Sequence, residues 1–209
     1  MPMSTDEPAR FWDDHYRSST PAEPRVNTRL AEIAADLEPG AALDLGCGQG
    51  GDALWLARRG WRVTATDISA VALSGLADRA RSSGLVDRIA TERHDLAQTF
   101  PAGRFDLVSA HYLHTRFDLP RARVLRTAAG ALSPGGRLLV VDHGSTAPWS
   151  WNQDPDVHFP SPTEVTAGLA LDPARWIVER ADSPRRTATG PGGRTADVVD
   201  HVLVIRRIG

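Results

Sequence analysis

The chain has 209 residues, which is the size of one ordinary domain with a complete hydrophobic core. Its 24 basic and 26 acidic residues give a formal net charge of -2, so the overall charge gives no reason to expect a nucleic-acid partner. All the basic residues are arginines, which excludes a lysine Schiff base, a P-loop lysine and a lysine general base. The single cysteine, Cys47, excludes an intrachain disulfide and a multi-cysteine zinc site.

The predicted elements alternate between strands and helices through the first two thirds of the chain. After a helix at 27–38, they are a strand at 41–45, a helix at 51–59, a strand at 61–66, a helix at 69–81 that Ser69 caps, strands at 88–94 and 104–112, a helix within 119–132, and a strand at 137–143. Such alternation predicts an α/β fold with a doubly wound, mostly parallel sheet that helices cover on both faces.

The last third of the chain departs from this alternation. A stretch rich in Trp and Pro occupies 144–162, and a short helix is predicted at 162–170. Two β-like runs at 175–181 and 197–207 have no helix between them, so we predict an antiparallel hairpin at the end of the sheet. The sheet would then have seven strands, with the last one antiparallel. No internal repeat or linker divides the chain, so 1–209 is predicted to be a single domain.

The cellular location follows from segments that the sequence does not contain. No apolar stretch approaches the ~18 to 20 residues that a membrane span requires. The start of the chain has neither the basic region nor the apolar region of a signal peptide. We therefore expect a cytoplasmic protein without a membrane partner.

A glycine-rich turn follows the first strand, within the segment LDLGCGQGGDALWLA at 43–57. The turn fits both G-x-G-x-G and G-x-G-x-x-G, opens a helix, and lies 21 residues before Asp67, the acid that ends the next strand. An acid at that position accepts hydrogen bonds from the two hydroxyls of a ribose. NAD and S-adenosylmethionine both contain such a ribose, so the spacing alone leaves both open.

Asp44 distinguishes between these two cofactors. It lies two residues before the first glycine, where a carboxylate would repel the pyrophosphate of a dinucleotide. S-adenosylmethionine has no phosphate, and its ammonium and sulfonium groups are attracted to a carboxylate. The alternative is that Asp44 points away and caps a backbone turn.

Five segments together resemble the ordered motifs of the class I S-adenosylmethionine-dependent methyltransferases. They are LDLGCGQG (43–50), VTATDIS (63–69), RHDL (93–96), RFDLVSAHYLH (104–114) and LSPGGRLLVV (132–141). The resemblance covers about 27–143 and implies a Rossmann-like methyltransferase fold with S-adenosylmethionine as cofactor. An aromatic segment, FWDDHYR (11–17), is similar to the lid of small-molecule members such as the thiopurine and tellurite-resistance methyltransferases.

The resemblance assigns cofactor roles to particular positions. It implies that Asp44 and Ala110 lie near the methionine portion of the cofactor and that the backbone of Gly46, Cys47 and Gly48 approaches it. It also implies that Asp67 binds the ribose hydroxyls and that Ile68, Asp95 and Leu96 contact the adenine. Within the single domain, 1–26 would then be a lid segment, 27–143 the cofactor-binding core, and 144–209 an acceptor-side insert with the terminal hairpin. Cys47 is interpreted as a small turn residue and not as a nucleophile, because no His-Cys arrangement accompanies it.

Methyl transfer is an in-line displacement that needs an aligned acceptor, exclusion of water and, for some acceptors, a base. Histidine is the natural base near neutral pH, so His111 and His143, each at a strand end, are the candidate catalytic residues. The expected substrate and lid residues are Trp12, Tyr16, Tyr112, His114, Trp149 and Trp151. We expect no metal, because these histidines lack the spacing of a metal site.

The predicted function is S-adenosylmethionine-dependent methyl transfer to a small-molecule O, N, S or chalcogen acceptor. The alternatives are a catalytically silent S-adenosylmethionine-binding module and an NAD-linked oxidoreductase. An RNA methyltransferase requires that Arg116, Arg121 and Arg123 cluster around the cleft. The sequence is compatible with a monomer or a homodimer, and it leaves the acceptor open because acceptor residues lie in variable loops.

Overall fold

The computed structural model describes residues 6–18, 23–150 and 153–209. Trp151 therefore lies outside the described residues. The helices in these ranges are α1 (Glu7–Ser18), α2 (Thr28–Ala34), α3 (Gly51–Arg58), α4 (Ala70–Ser82), α5 (Arg121–Gly130) and α6 (Pro162–Leu169). The strands are β1 (Ala41–Leu45), β2 (Arg62–Asp67), β3 (Ile89–Arg93), β4 (Phe105–His111), β5 (Leu132–His143), β6 (Trp176–Asp182), β7 (Arg185–Thr189) and β8 (Thr195–Arg207).

The main sheet has the strand order β3-β2-β1-β4-β5-β8-β6. The first five of these strands are parallel to their neighbours, whereas β8 runs antiparallel to both β5 and β6. This confirms the predicted doubly wound sheet with an antiparallel last strand. It also shows that the antiparallel strand lies inside the sheet, between β5 and β6.

One strand was missing from the prediction. Within the described residues, β7 is an eighth strand, which pairs antiparallel with the first part of β8 and forms a hairpin beside the main sheet. Its sequence, RRTAT, is mostly polar, and four of its five side chains are exposed or half-buried. Because Ala188 is its only apolar residue, it lacks the alternation of apolar and polar residues that reveals a strand in a sequence.

Two apolar cores cover the two faces of the sheet. One core is built by α2, α3 and α4 and includes Leu30, Leu56 and Trp61. The other core is built by α5 and α6. The second contains Leu43 and Leu125. The central strands are buried from both sides, as expected for a parallel sheet covered by helices.

The order of the parallel strands reverses direction at β1, which lies between β2 and β4. In open α/β sheets, ligands bind at such a switch point, outside the carboxyl ends of the strands. The glycine turn after β1 lies at this point, so the topology places the predicted motifs at the edge where a ligand would bind.

Candidate cofactor and acceptor site

A cleft with about 780 Å³ of empty space, open solvent included, lies at the carboxyl ends of the strands. Five of the predicted cofactor residues line it: Gly46, Asp67, Ile68, Asp95 and Leu96. They come from the ends of β1, β2 and β3, which are neighbouring parallel strands. The fold therefore brings motifs that are up to fifty positions apart to a single cleft.

The glycine turn is held by the backbone of the next strand. Gly46 and Gly48 have φ values of 69° and 50°, in the left-handed region that glycine adopts without steric cost. The Cys47 amide donates a hydrogen bond of 2.9 Å to the Thr66 carbonyl, and the Gly48 amide donates one of 2.9 Å to Asp67 Oδ2. The turn is thus fixed against the carboxylate that the sequence assigned to the ribose.

The Asp67 carboxylate has acceptor positions left for hydrogen bonds from a ligand in the cleft. Its Oδ2 binds the Gly48 amide, and its Oδ1 binds the Ser69 amide at 2.9 Å. A carboxylate has about four acceptor positions, so these two bonds leave acceptor capacity for the two hydroxyls of a ribose. Burial raises the pKa of Asp67, and the backbone hydrogen bonds oppose that rise.

Asp44 has an unpaired oxygen in a buried environment. Its side chain is 3% exposed, its Oδ1 accepts a hydrogen bond of 3.0 Å from Ser109 Oγ, and its Oδ2 has no hydrogen-bond partner within the described residues. Burial, with the negative charge of Asp52, raises the pKa of Asp44 to about 7. An unpaired buried carboxylate oxygen is costly unless a donor or cation meets it, which fits the ammonium of S-adenosylmethionine.

The remaining cofactor positions differ in how far they are accessible. Asp95 lines the cleft, but its oxygens already bind the Ala97 amide at 3.0 Å and Gln98 Nε2 at 2.6 Å. Ala110 is fully buried at the end of β4. Burial raises the pKa of the Cys47 thiol, which keeps it protonated and agrees with its interpretation as a turn residue.

Helix α1 covers one side of the cleft. Trp12 and Tyr16 both line it, as predicted. The Tyr16 hydroxyl lies against the glycine turn, since a Cβ added to Gly48 would be 2.8 Å from Tyr16 Oη. Asp13, whose role sequence reasoning missed, joins α1 to α4: its Oδ1 accepts hydrogen bonds from Ser69 Oγ at 2.6 Å and from the Val71 amide at 3.1 Å.

The acceptor side carries three stacked rings. Tyr112 and His114 line the cleft, whereas His143 is not among the described residues that line it and contacts it through these two rings. The ring of His143 stacks on Tyr112 with a centroid distance of 4.3 Å, and it stacks on His114 at 6.0 Å. Desolvation and the charge of His114 lower the pKa of His143, so its imidazole is neutral, the form that can accept a proton.

His111 ends β4, as predicted, and its side chain bonds to α3. Its Nδ1 lies 2.6 Å from Asp52 Oδ2, its side chain is 6% exposed, and it is not among the described residues that line the cleft. Asp52 in turn accepts a hydrogen bond of 2.6 Å from the Asn27 amide. The imidazole is directed toward the start of α3, so this geometry does not favour His111 as a base for an acceptor.

The insert after β5 packs on the terminal hairpin. The ring of Trp149 lies against Gly190, where an added Cβ would overlap its indole. Trp149 is therefore beside the β7–β8 hairpin and is not among the described residues that line the cleft. The structure therefore places Trp149 against the hairpin, whereas the sequence assigned it to the acceptor.

The three arginines that an RNA-binding cleft would need are engaged within the protein. Arg121 Nη2 binds both oxygens of Asp142 at 2.6 Å. Arg123 donates to a backbone carbonyl of the loop after β3, and the Arg116 guanidinium lies 5.4 Å from the centre of the Phe11 ring. Of these three, Arg121 is paired with a carboxylate, whereas Arg116 and Arg123 are exposed.

The described residues contain neither a metal-binding cluster nor a membrane-spanning helix. No group of three or more His, Cys, Asp or Glu side chains there is arranged to hold a metal ion. In the same ranges, each helix is too short or too polar to cross a membrane.

A family model described as a methyltransferase domain matches residues 42–136. That range begins in β1, just before the glycine turn, and ends within the fifth predicted motif. Residues 42–136 thus match a methyltransferase domain, and this match supports the resemblance of the chain to the class I S-adenosylmethionine-dependent methyltransferases. S-adenosylmethionine is the cofactor of this family, and the unpaired Asp44 oxygen and the Asp67 carboxylate fit its ammonium and ribose.

Curated methyltransferases are similar to a large part of the chain. The chain is 34% identical over 135 residues to the 27-O-demethylrifamycin SV methyltransferase of Amycolatopsis mediterranei (strain S699), a match that covers 63% of this chain and 49% of that protein. It is also 34% identical over 134 residues to the ribosomal RNA small subunit methyltransferase C of Alcanivorax borkumensis (strain ATCC 700651 / DSM 11573 / NCIMB 13689 / SK2), covering 62% of this chain and 40% of that protein. The chain thus spans half or less of the length of these two relatives.

A solved structure matches nearly the whole chain. It is described by the words "Conversion of a Disulfide Bond into a Thioacetal Group during Echinomycin Biosynthesis", and it aligns with a TM-score of 0.71 at 27% identity. The alignment covers 96% of this chain and 91% of that chain. The two chains therefore share one fold over nearly their whole length.

Proposed function

We propose that the protein transfers the methyl group of S-adenosylmethionine to an O, N, S or chalcogen atom of a small molecule. The observation that carries this proposal is the composition of the cleft. The cleft is lined by Asp67, which we assign to the ribose, by Tyr112 and His114, and by Trp12 and Tyr16 of α1. A cofactor and a small acceptor would share one covered space.

When bound, the cofactor supplies a methyl group on a positively charged sulfur that is open to displacement by the lone pair of an acceptor atom. The protein would hold the cofactor through Asp67 and Asp44 and keep water out through α1. The displacement would yield the methylated acceptor and S-adenosylhomocysteine. We assign to the neutral His143 imidazole the task of receiving the proton that an acceptor such as a hydroxyl or thiol releases.

An RNA acceptor is the second candidate, because one relative is named a ribosomal RNA methyltransferase. The engagement of Arg121 by Asp142 counts against it, as does the net charge of -2. RNA binding requires cations that are free to neutralise phosphates. The small-molecule proposal therefore has the stronger support.

The two non-methyltransferase alternatives meet specific objections. An NAD site would place a pyrophosphate close to Asp44, whose free oxygen would repel it. A silent binding module would be expected to have an open acceptor side. The presence of α1 over the cleft supports a site that carries out turnover.

The first test is calorimetric titration with S-adenosylmethionine, S-adenosylhomocysteine and NADH. Micromolar binding of the two sulfur ligands and no binding of NADH is the expected result. Asp67→Ala should weaken both sulfur ligands by about a hundredfold, because hydrogen bonds to a charged group contribute about 1.5 to 3 kcal/mol each. Asp78→Ala is the matched control, since its carboxylate is 68% exposed and pairs with Arg81 on the surface of α4.

Methyl transfer itself is tested with labelled cofactor and two sets of acceptors. One set contains small phenols, thiols, amines and chalcogen anions, and the other contains small ribosomal subunits and their RNA. Label in a small acceptor supports the proposal, and label only in RNA would replace it with the second candidate. If neither sulfur ligand binds in the calorimeter, or if no acceptor of either set is labelled, the methyltransferase proposal fails.

A further inference from the structure

A buried carboxylate on β8 joins three separate parts of the chain. Asp200 is 1% exposed. Its Oδ2 binds Arg29 Nε of α2 at 3.1 Å and Arg186 Nε of β7 at 2.8 Å. Its Oδ1 accepts a hydrogen bond of 3.0 Å from the hydroxyl of Tyr112, which follows β4. No motif in the sequence pointed to this residue.

Asp200 is also the neighbour of His143 across the sheet. The two residues are direct partners in the antiparallel register of β5 and β8. The ring of Tyr112 lies on the imidazole of His143 with an interplanar angle of 21°. A hydrogen bond and a ring stack therefore connect the buried carboxylate to the imidazole.

The backbone of Tyr112 shows that its position is imposed. Its φ is 48°, and Ala170 is the only other non-glycine residue with a positive φ among the described residues. Such a conformation costs about 1 to 2 kcal/mol and persists where the surroundings determine it. The surroundings here are Asp200 and Arg186, whose Nη2 also donates to the Tyr112 hydroxyl at 3.1 Å.

The energetics of the cluster favour a role in positioning. Burying a carboxylate between guanidinium groups costs desolvation energy that the ion pairs only partly recover, so a packed apolar group would often stabilise the fold as well. An ionic cluster does, however, fix the orientation of each side chain that donates a hydrogen bond to it. The Tyr112 hydroxyl receives such a direction from Asp200, and its ring forms one face of the acceptor side.

We propose that Asp200 is a positioning residue of the acceptor side: by holding the Tyr112 hydroxyl, it keeps the Tyr112 ring stacked on His143 and so fixes the imidazole beside the cleft. This inference rests on the proposed function, because His143 needs a fixed position only if it receives a proton from an acceptor. A displacement of about 1 Å in a catalytic group can lower a rate by about a hundredfold.

The test uses the full chain and the proton NMR signals of its histidine rings. The protein has seven histidines, and a His143→Gln variant identifies the signal of His143. Stacking on Tyr112 shifts that signal upfield. Tyr112→Phe keeps an aromatic ring and leaves the ion pairs of Asp200 intact, but it removes the tether, so we expect most of the upfield shift to be lost. Asp200→Asn is expected to have the same effect.

Asp197→Asn is the matched control, since Asp197 is exposed on the same strand and binds Thr187 Oγ1 at 3.0 Å. Its His143 signal should equal that of the unmodified chain. If Asp200→Asn does not fold because Arg29 loses its partner, Tyr112→Phe decides the question alone. Variants that unfold at lower temperature but keep the upfield shift would overturn the proposal and leave Asp200 a purely structural residue.

Kinetics provide the second measurement once an acceptor is known. Tyr112→Phe should lower kcat about tenfold or more, while the Kd for S-adenosylmethionine stays within about twofold. An unchanged kcat would also overturn the positioning role. Because the NMR signal requires neither cofactor nor acceptor, it reports on the tether even if the chain transfers no methyl group, so the two proposals fail separately.

Discussion

The Ser69 hydroxyl donates a hydrogen bond of 2.6 Å to the Asp13 carboxylate and thereby joins α1 to the N-terminus of α4. The backbone amide of the same Ser69 donates to Asp67, the predicted ribose ligand. Ser69 thus bonds both to the helix that covers the cleft and to the carboxylate predicted to bind the ribose. Burial alone would raise the pKa of Asp13, but the hydrogen bonds from Ser69 and Val71 outweigh that effect and lower the pKa. The Asp13 carboxylate therefore stays ionised in mild acid.

Replacing Asp13 should therefore loosen α1 and weaken cofactor binding together. We expect Asp13→Ala to raise the Kd for S-adenosylmethionine about tenfold, the equivalent of about 1.4 kcal/mol for one charge-assisted hydrogen bond. Titration calorimetry measures the affinity, and limited proteolysis measures the release of α1. Asp14→Ala is the control, because Asp14 pairs with Arg17 at 2.6 Å on the exposed face. Equal losses in both variants would show that the contact with Ser69 has no special role.

Cofactor binding should depend on pH through Asp44. Burial and Asp52 raise the pKa of Asp44 to about 7, so at pH 6 this carboxyl is mostly protonated in the free protein. Because the ammonium of the cofactor pairs only with the ionised form, affinity should rise by about tenfold between pH 6 and pH 8, with release of a proton. Calorimetry in buffers of different ionisation enthalpy measures that proton.

The same group affects stability in the opposite direction. Its folded pKa lies above the ordinary value of 3.8, so the free protein loses stability as pH rises from about 4 to about 7 and Asp44 is forced to ionise. We expect Asp44→Asn to be more stable than the unmodified protein at pH 8 without ligand, and to bind S-adenosylmethionine weakly at every pH. If the stability of Asp44→Asn still falls as pH rises from about 4 to about 7, a group other than Asp44 causes the pH dependence of stability.

Two glycines near α4 should respond to alanine in opposite ways. Gly50 has a φ of 83°, and an added Cβ would overlap the Leu76 side chain. Gly50→Ala should destabilise the fold by about 2 kcal/mol or more, from strain and overpacking together. Gly75 lies inside α4, where an added Cβ meets only the movable end of Arg79, so Gly75→Ala should stabilise by about 0.5 to 1 kcal/mol. Urea unfolding of both variants measures the two changes, and a loss in Gly75→Ala would contradict this account.

The parts of the site that were predictable are those that a local pattern encodes. The glycine turn and Asp67 share a fixed spacing, because a strand, a tight turn and a helix have fixed lengths. Ser69 was predicted as a helix cap, and its Oγ accepts a hydrogen bond of 3.1 Å from the Ala72 amide. The mostly parallel sheet followed from the alternation of strands and helices, whereas the strand order was not predicted.

The parts that were missed depend on contacts between distant segments. Asp200 lies 171 positions from Arg29, and no periodic pattern marks a carboxylate that bonds across such a separation. His111 and Tyr112 are adjacent in the chain, but only the structure shows that the first side chain turns to Asp52 and the second to Asp200. Trp149 was assigned to the acceptor by composition, whereas its position is determined by the space that Gly190 leaves open.

The pair His114 and His143 leads to a prediction about the pH dependence of catalysis. Desolvation lowers the pKa of His143, and the charge of His114 lowers it further. The other groups that act on His143 are Asp142 and Asp200, which raise its pKa, and Arg186, which lowers it; Tyr112 stacks on its ring. His143 can receive a proton only when neutral, so the rate should increase as pH rises through this lowered pKa.

His114→Gln removes one of the two main causes and leaves desolvation in place. The pKa of His143 should then rise, and the acid limb of the pH–rate profile should move to higher pH by the same amount. NMR titration of the His143 ring gives the shift directly, before any acceptor is known. His158→Gln is the control, because His158 pairs with Glu164 at 3.1 Å, with 69% of its side chain exposed, and does not line the cleft. If the ring titration moves but the rate profile does not, His143 is not the group that receives the proton, and the acceptor releases it to solvent.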